Sequence, residues 1–519
     1  MVPNMKIRVG IYNRWLATLG GGEKLSLSIA EHLSKQHDVE VINHKAVSKQ
    51  LAAERLNLDL SQVKFINIPD RPASEITQIT KDYDLFINAS HIDYFPSLAD
   101  TSVALIYFPA AFSRRIALKR LIKHNIRERL KIPAVMAGVH AFDASEQTFK
   151  WSADTVLQIR LPRSNSVYQL MIDLKAADPR VDYAVLTLNN KTIGKVKFEK
   201  LGEWETFKAS VPINSDYPQQ HLTISIDRTI IPDGTAKIWV RIPGISLPQY
   251  KTYKLLEKRK REWAMRLQYD PPGTSMIDYI DTYDAIWTIS EFVRKWVVQY
   301  WGRESEILYP AVNVEHFFSS NKSNRILTVG RFFAGQHNKK HLELISAFRN
   351  LVDGGLMDWE FHLAGGTTPG EENEAYLDQL YRTANGYPIY FHMDISFDNL
   401  VNLYAESPIY WHASGFGENE NKNPEKFEHF GITTVEAMAS GCIPVVINKG
   451  GQPEIVEHGQ SGFLWDTLSE LQAQTLELIN NSDLSKNTSK KALHRSKAFG
   501  VDRFQMRVDE LLRKIKYCN

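Results

Sequence analysis

Two long stretches of this chain alternate short apolar runs with helix-like segments, and a block of different pattern separates them. Runs such as KIRVGIY near the N-terminus and RILTVGR and PIYFHM in the second half are apolar, short and flanked by polar residues, as buried strands are. The segments between the runs repeat apolar residues at helical spacing, as Leu25, Ile29 and Leu33 do. Strands that alternate with helices form parallel sheets. The pattern therefore predicts two α/β domains.

The separating block runs from about Phe142 to Pro248 and lacks helical spacing. Polar and apolar residues alternate along it, and turn residues recur at short, regular intervals. This pattern is typical of an antiparallel β-sandwich. Helices from Leu468 to Lys516 are expected to close the second α/β domain. We therefore predict a Rossmann-like first domain from 1–141 and 249–314, an inserted sandwich at 142–248 and a second Rossmann-like domain at 315–519.

Composition adds limits on location and partners. The chain has 519 residues, too many for one core, and 43% of them are hydrophobic and 24% charged, which is typical of globular proteins. The net charge of +2 gives no sign of a nucleic-acid partner. Cys442 and Cys518 form no metal or disulfide pattern, which predicts a reducing compartment. With no secretory pattern and no long apolar run, we expect a cytoplasmic protein without a spanning helix.

The segment EHFGITTVEAMASG places one carboxylate before a helix and a second inside it. The apolar spacing predicts the helix, and Gly441 marks its end. Glu428 then lies in the preceding loop and Glu436 within the helix, while Phe430 and Gly431 lie at the N-terminus, whose free N–H groups favour an anion. This arrangement suits a ligand with phosphates and hydroxyls. A helix with two surface glutamates explains the segment equally well.

A second segment carries two cations. Arg331 follows a predicted strand directly, and Lys339 stands eight residues later at a predicted helix start. Arginine offers a planar fork to phosphate and lysine a point charge. The carboxyl ends of parallel strands are where α/β proteins bind ligands. We therefore favour a phosphate-binding role over that of two solvated surface residues.

These motifs together resemble family 4 of the retaining GT-B glycosyltransferases. The resemblance is carried by the two glutamates of the E-x7-E pattern, by VGR followed by Lys339, by GGGEK, and by HFGITTVEAMASGCIPVV with GGQPEIVEHGQSGFLW. Among these enzymes the chain is particularly similar to mannosyltransferases that extend lipid-linked oligosaccharides and to their bacterial relatives. The resemblance covers most of the chain but not the β insert. It implies two Rossmann-like domains that face a cleft.

The resemblance also assigns roles to the candidate residues. Arg331 and Lys339 would neutralise the donor diphosphate, and Glu428 would face the donor sugar near the reacting carbon. The remaining donor-binding positions would be Glu436 on the ribose hydroxyls, the backbone of Phe430, Gly431 and Ile432 on the phosphates, Gly21 and Gly22 in the first-domain loop, and Gly365 near the nucleobase.

The reaction implied is retaining transfer of a hexose, with mannose favoured, from GDP-mannose or a UDP-sugar to a glycan or lipid-linked glycan. No metal and no further cofactor are expected, since two cations serve the diphosphate. Asp82 and Asp84 have metal-motif spacing but lead into an apolar strand, so we interpret them as a strand boundary. Whether Glu428 is a nucleophile or an electrostatic stabiliser stays open.

The chain departs from the family on the acceptor side. Related enzymes often carry a histidine after a first-domain strand, where this chain has Tyr107. His91, at a neighbouring strand end, is the candidate substitute catalytic residue. An ordinary hydrogen-bonded loop histidine is the alternative.

Two basic segments, 114–131 and 251–266, flank the insert. Together they would suit an anionic membrane surface or a lipid-phosphate acceptor, which predicts peripheral contact at the inner face of the membrane. Solvated helix faces are the alternative. The insert, with Trp151, Trp204 and Trp239, weakly resembles carbohydrate-binding jelly rolls, and a spacer or oligomer contact is the competing interpretation.

Two other classes of function compete with a glycosyltransferase. One is a non-catalytic glycan-binding or scaffold protein on a GT-B frame. The presence of Arg331, Lys339, Glu428 and Glu436 together argues against it. The other is an epimerase or phosphorylase of the same fold, which the glutamate spacing disfavours.

Overall fold

In the part of the chain that the structure describes, seven parallel strands form the sheet of the first domain. The computed structural model describes residues 6–70, 73–110, 134–143, 150–161, 168–176, 181–189, 191–211, 220–226, 238–241, 280, 283–335 and 338–517. The strands are apolar because helices cover both faces of the sheet. They are β1 (Arg8–Tyr12), β2 (Asp38–Asn43), β3 (Lys64–Asn67), β4 (Leu85–Asn88), β5 (Thr101–Ile106), β14 (Ala285–Thr288) and β15 (Glu306–Ile307), in the order β15-β14-β5-β4-β1-β2-β3.

Helices connect these strands as the apolar periodicity predicts. In the described ranges they are α1 (Gly21–Ser34), α2 (Lys49–Leu56), α3 (Ala73–Thr80) and α4 (Glu291–Trp301). Helix α1 buries Leu25, Ile29 and Leu33, the stripe seen in the sequence. Strand β14 pairs with β5 in parallel, although almost 180 residues separate them in the chain. The intervening segment is therefore an insertion into one continuous sheet.

The described strands of the insert form one antiparallel sheet. Its hydrogen-bonded path is β10-β9-β12-β7-β13-β8-β11, and β6 also pairs with β7. The strands are β6 (Ala134–Asp143), β7 (Lys150–Leu161), β8 (Tyr168–Ala176), β9 (Tyr183–Leu188), β10 (Lys191–Lys197), β11 (Glu205–Val211), β12 (Gln220–Ile226) and β13 (Ile238–Arg241).

The two ends of this path lie against each other. Ile172 of β8 and Leu186 of β9 belong to one hydrophobic cluster, although three strands separate β8 from β9 along the path. Gly194 of β10 also lies directly beside the ring of Phe207 of β11. The sheet therefore folds back on itself. A sandwich of two distinct sheets stays a prediction, since the strands are bonded as a single path.

The first strand of this sheet begins before the predicted boundary. Strand β6 starts at Ala134, so Phe142 lies inside it. Its sequence, AVMAGVHAFD, is rich in alanine and glycine and lacks a polar-apolar alternation. The polar-apolar alternation that predicted the insert is therefore absent from this strand.

The second domain contains a six-stranded parallel sheet in the order β18-β17-β16-β19-β20-β21. Its strands are β16 (Arg325–Val329), β17 (Glu360–Gly365), β18 (Ile389–Met393), β19 (Ile409–His412), β20 (Ile443–Ile447) and β21 (Phe463–Trp465). Its helices are α5 (His341–Asp353), α6 (Glu371–Ala384), α7 (Phe397–Glu406), α8 (Ile432–Ala439), α9 (Gln452–Ile455), α10 (Leu468–Asn480) and α11 (Ser482–Ser496). The predicted helix with the internal glutamate is α8.

The last helix, α12 (Val501–Tyr517), returns to the first domain. Its Asp509 accepts a hydrogen bond from His32 of α1 over 2.7 Å, and its Arg507 lies 2.8 Å from Glu306 of β15. The prediction that residues up to Lys516 close the second domain is therefore wrong for this helix. Its apolar stripe predicts burial but does not say which domain provides the partner surface.

The two domains share one hydrophobic cluster. His429, next to the candidate residue Glu428, stacks on Phe108 of the first domain with ring centroids 4.4 Å apart. Glu454 of α9 accepts hydrogen bonds from the backbone N–H groups of Glu291 and Phe292, each 2.7 Å long. A carboxylate of the second domain thus caps a first-domain helix, where the free N–H groups and the dipole favour negative charge.

We expect Glu454→Ala to destabilise the protein by about 2 kcal/mol, because two hydrogen bonds to a charged acceptor are lost. The matched control is Glu457→Ala, since that side chain is half exposed and its carboxylate lies 3.6 Å from Arg495. Thermal unfolding measures both variants. Equal melting temperatures for the two would show that the contact with α4 contributes little.

Candidate active site

The candidate site lies at the carboxyl edge of the second sheet, where β16 and β19 end and α8 begins. Lys339 precedes α5, His412 ends β19, and Glu428 lies in the segment before α8. The Nζ of Lys339 is 2.5 Å from Oε2 of Glu428, and Nε2 of His412 is 3.1 Å from the same oxygen. The predicted lysine and glutamate therefore meet. His412 was not predicted.

This carboxylate is ionised in spite of its burial. Only about a fifth of each side chain of the pair is exposed, 19% for Glu428 and 22% for Lys339. Burial opposes ionisation of Glu428, but the charge of Lys339 and the hydrogen bond from His412 outweigh it, so its pKa is held well below the usual range. Burial lowers the pKa of His412. At neutral pH a neutral imidazole thus donates from Nε2 to a carboxylate.

A second carboxylate ties together the segments that carry this pair. Glu418 lies 3.2 Å from Lys340 through one oxygen and 3.1 Å from Lys426 through the other. Lys340 follows Lys339 directly, and Lys426 stands two residues before Glu428. Lys340 also has a left-handed backbone, with φ of 60°. This bridge holds the two loops together, and it was missed because loop contacts have no periodic signature.

Glu436 lies inside α8 and faces the first domain. Its side chain is buried, and Tyr404 of α7 donates a hydrogen bond to it over 3.2 Å. Burial raises its pKa, while the positive charge of Lys24 and the bond from Tyr404 act in the opposite direction. Lys24 belongs to the GGGEK segment and lies in the first turn of α1. The structure thus brings a first-domain cation toward the second glutamate.

Two helices from different domains begin beside each other. A Cβ placed on Gly21, the first residue of α1, would lie 3.5 Å from Ile432, the first residue of α8. Gly431 before α8 has φ of 122°, a conformation that a side chain strongly disfavours. The N-termini of α1 and α8 therefore lie near each other, and the free N–H groups of a helix N-terminus favour an anion. Phe430, the next residue back, is buried.

The side-chain stem of Lys339 packs closely against the backbone at Gly330. A Cβ on Gly330 would lie 2.6 Å from the Lys339 stem, and a Cβ on Gly365 would lie 1.9 Å from the Gly330 oxygen. Arg331 follows Gly330 directly and is exposed, with its guanidinium 5.8 Å from the ring of Phe333. Arg331 and Gly365 thus lie at the same sheet edge as Lys339. Their roles in donor binding stay predictions.

The acceptor-side residues lie in the first domain. Tyr107 donates a hydrogen bond to the oxygen of Gly22 over 2.7 Å, and burial raises its pKa well above the usual value. His91 is exposed, and its ring meets the edge of Tyr107 at 6.4 Å. The structure thus places His91 close to the residue that occupies the expected histidine position. A catalytic role of His91 stays a prediction.

No cluster of three or more metal-ligating side chains occurs within the described ranges. Asp84 instead accepts a hydrogen bond from the backbone N–H of Arg8 over 2.7 Å, at the start of β4. Its position agrees with the interpretation of Asp82 and Asp84 as a strand boundary.

The second domain matches a known family. Residues 313–495 match the model described as Glycosyl transferases group 1. The match includes Arg331, Lys339, Glu428 and Glu436, and it excludes the insert and most of the first domain.

Curated relatives carry the name GDP-Man:Man(3)GlcNAc(2)-PP-Dol alpha-1,2-mannosyltransferase. The Xenopus laevis protein is 27% identical over 207 residues, which is 37% of this chain and 39% of the relative. The human protein is 27% identical over 234 residues, 43% of this chain and 44% of the relative. The matches thus span less than half of either relative. With the family match, they support a glycosyltransferase enzyme.

Solved structures of other proteins align with almost the whole length of this chain. Anabaena Alr3699/HepE in complex with UDP-glucose is 12% identical, with a TM-score of 0.52, over 98% of this chain and all of that chain. A glycosyltransferase from Rickettsia africae is also 12% identical, with a TM-score of 0.54, over 98% of each chain. At this identity the likeness shows the fold, which is the predicted GT-B arrangement of two α/β domains.

Lys339→Met should destabilise the protein more at pH 7 than at pH 4. The folded pKa of Glu428 lies below its unfolded value of about 4.3, so the pair stabilises the fold above that pH and the contribution is lost as pH falls toward the folded pKa. We expect a loss of about 2–3 kcal/mol at pH 7, measured by thermal unfolding at both pH values. The control is Lys422→Met at an exposed position. A pH-independent loss would contradict the assigned ion pair.

Proposed function

We propose that this protein is a retaining, metal-independent glycosyltransferase that moves a hexose from a nucleoside-diphosphate sugar to a glycan. The observation that carries the proposal is the ionised Glu428, held between Lys339 and His412 at the carboxyl edge of the second sheet. The group 1 domain match and the names of the relatives support the same class of reaction.

The donor would lie between the two domains. Its diphosphate would fit the neighbouring starts of α1 and α8, where Gly21 lies close to Ile432. Arg331 and Lys339 would supply the cations, and Lys339 can keep its contact with Glu428 because an ammonium group has three donors. The ribose hydroxyls would reach Glu436.

In the proposed reaction the bond between the anomeric carbon and the diphosphate oxygen breaks, and the diphosphate leaves with the electron pair. The acceptor hydroxyl attacks from the same face and passes its proton to the departing phosphate. Glu428, with its low pKa and its two hydrogen-bonded partners, is a weak base and a weak nucleophile. We therefore assign it the stabilisation of positive charge at the anomeric carbon, a preorganised electrostatic role.

The relatives' printed name contains GDP-Man and a dolichol-linked acceptor. We therefore favour GDP-mannose as donor and a glycan or lipid-linked glycan as acceptor, with a UDP-sugar as the second choice.

Membrane contact through 114–131 and 251–266 falls outside the described residues and stays a prediction. Among the described residues, no helix is long and apolar enough to span a membrane. Glycan binding by the insert is also a proposal. The side chains of Trp151 and Trp239 lie outside the description, and the ring of Trp204 is covered by Lys175, whose Nζ is 5.1 Å from the ring centroid.

A panel of UDP- and GDP-sugars tests the proposed activity, with hydrolysis and transfer measured in the presence and absence of EDTA. We expect turnover with at least one donor, highest with GDP-mannose and unaffected by EDTA. No turnover and no nucleotide binding would favour a glycan-binding scaffold. Strong inhibition by EDTA would reveal a metal requirement and overturn the metal-independent mechanism.

Glu428→Gln and Lys339→Ala should each lower kcat by roughly 10²–10³, the usual loss when one stabiliser of developing charge is removed. Glu425→Gln is the matched control, since this carboxylate stands three residues earlier and outside the proposed site. Near-normal kcat in a folded Glu428 or Lys339 variant would refute the role of that residue.

A further inference from the structure

The loop after β1 holds an exposed tryptophan in a fixed position. Trp15 is 47% exposed. Its indole Nε1 donates to the backbone oxygen of His91 over 3.0 Å, and its backbone N–H donates to Asn13 over 2.9 Å. An exposed tryptophan that serves packing alone does not need such anchoring. Trp15 is thus half exposed while its indole is held by a hydrogen bond.

The loop after β4, whose His91 accepts the hydrogen bond from the Trp15 indole, has a strained backbone. Ile92 adopts a left-handed conformation with φ of 55°, and its side chain is 44% exposed. A β-branched residue in this region is a genuine outlier, and such strain is concentrated at functional sites. The exposed Ile92 gains little from burial. Its conformation places His91 and Asp93 on either side of it, and both contact the β1 loop.

The two loops that hold the indole also carry charged side chains with hydrogen-bonding capacity. Asp93 accepts hydrogen bonds from Tyr12 over 2.6 Å and from Arg14 over 3.2 Å, and Arg14 also lies 2.8 Å from Asp70. The side chains of Arg14 and Asp93 remain 29% and 23% exposed. A fixed aromatic face beside a guanidinium and carboxylates matches a pyranose ring, which offers an apolar C–H face and a rim of hydroxyls.

A series of neighbouring residues connects Trp15 with the start of α8, where we propose that the donor diphosphate binds. Ile432 of α8 meets Gly21, and the adjacent Gly22 accepts a hydrogen bond from Tyr107. The ring of Tyr107 meets that of His91, whose backbone oxygen holds the indole of Trp15. Both loops follow first-domain strands at their carboxyl ends, the edge where α/β proteins bind ligands.

We propose that Trp15, with Arg14 and Asp93, forms a pyranose-binding subsite for the acceptor glycan. This inference rests on the proposed function, since it supplies the acceptor side of that reaction. A sugar ring stacks on the indole, and its hydroxyls bond to Arg14 and Asp93. A protein partner is disfavoured because the two loops expose only Trp15 and Ile92 as large apolar side chains and also carry the charged Arg14 and Asp93.

Direct binding tests the subsite without turnover. Methyl and octyl glycosides of mannose, glucose, galactose and N-acetylglucosamine are mixed with the intact protein, and saturation-transfer NMR measures contact with the sugar. The wild type should give sugar-ring signals with at least one hexose. Trp15→Ala should weaken the affinity roughly tenfold or more, the loss expected when one stacking partner is removed, while Trp15→Phe should retain most of it.

Tyr390→Ala is the matched control, because Tyr390 is 46% exposed and lies on edge strand β18 of the second domain. It should bind sugar as the wild type does. Equal binding of methyl and octyl glycosides would identify the sugar ring alone as the ligand, and stronger binding of the octyl glycosides would indicate a lipid-linked sugar.

In transfer assays with the best-bound glycoside, Trp15→Ala should raise the acceptor KM and lower the ratio of transfer to donor hydrolysis. Absence of sugar signals from the wild type overturns the subsite, as does unchanged affinity in Trp15→Ala. If Trp15→Ala does not fold, Arg14→Gln takes its place as the test variant. Sugar signals as strong in Arg14→Gln as in the wild type would then overturn the subsite. Sugar binding without turnover of any donor would refute the proposed reaction but not the sugar site.

Discussion

The ion pair between Lys339 and Glu428 constrains the rest of the site. A carboxylate with about a fifth of its surface exposed stays ionised only if a cation and hydrogen bonds compensate its lost hydration. That requirement draws the loop before α5 against the end of β19 and the segment before α8. The pair is also nearly neutral as a unit. A diphosphate therefore needs more positive potential than Lys339 supplies, and in the proposed function the helix starts at Gly21 and Ile432 and the exposed Arg331 add to it.

The same segment couples the site to the packing of the domains. Glu428 faces Lys339, while the next residue, His429, stacks on Phe108 of the first domain. Further along, Glu454 caps α4. A change in the relative position of the domains would thus act directly on the backbone that carries Glu428. The first domain also acts on Glu436 through the charge of Lys24. Chemistry at this edge depends on both domains, although the candidate residues at its centre come from the second.

The sequence predicted the parts of this arrangement that leave a periodic or local signal. The spacing of apolar residues and the length of apolar runs distinguish the parallel sheets from the antiparallel insert. A glutamate before a predicted helix can be recognised from the sequence alone. His412 was missed because it ends an ordinary apolar strand, and its partner is 16 residues away in the chain. The left-handed backbone of Ile92 was also missed, because nothing in its local sequence indicates a positive φ. The apolar stripe of helix α12 can be seen in the sequence, but it does not indicate which domain the helix packs against.

The charges at the site also limit where the acceptor proton can go. Glu428 is a weak base, since Lys339 and His412 hold its pKa down. Tyr107 stays protonated, since burial raises its pKa, and it donates to Gly22. The departing diphosphate gains negative charge as the sugar bond breaks, so its basicity rises at the moment when the acceptor hydroxyl must lose a proton. The front-face transfer that we propose, in which the leaving phosphate takes that proton, is consistent with these groups, and the role of His91 stays a prediction.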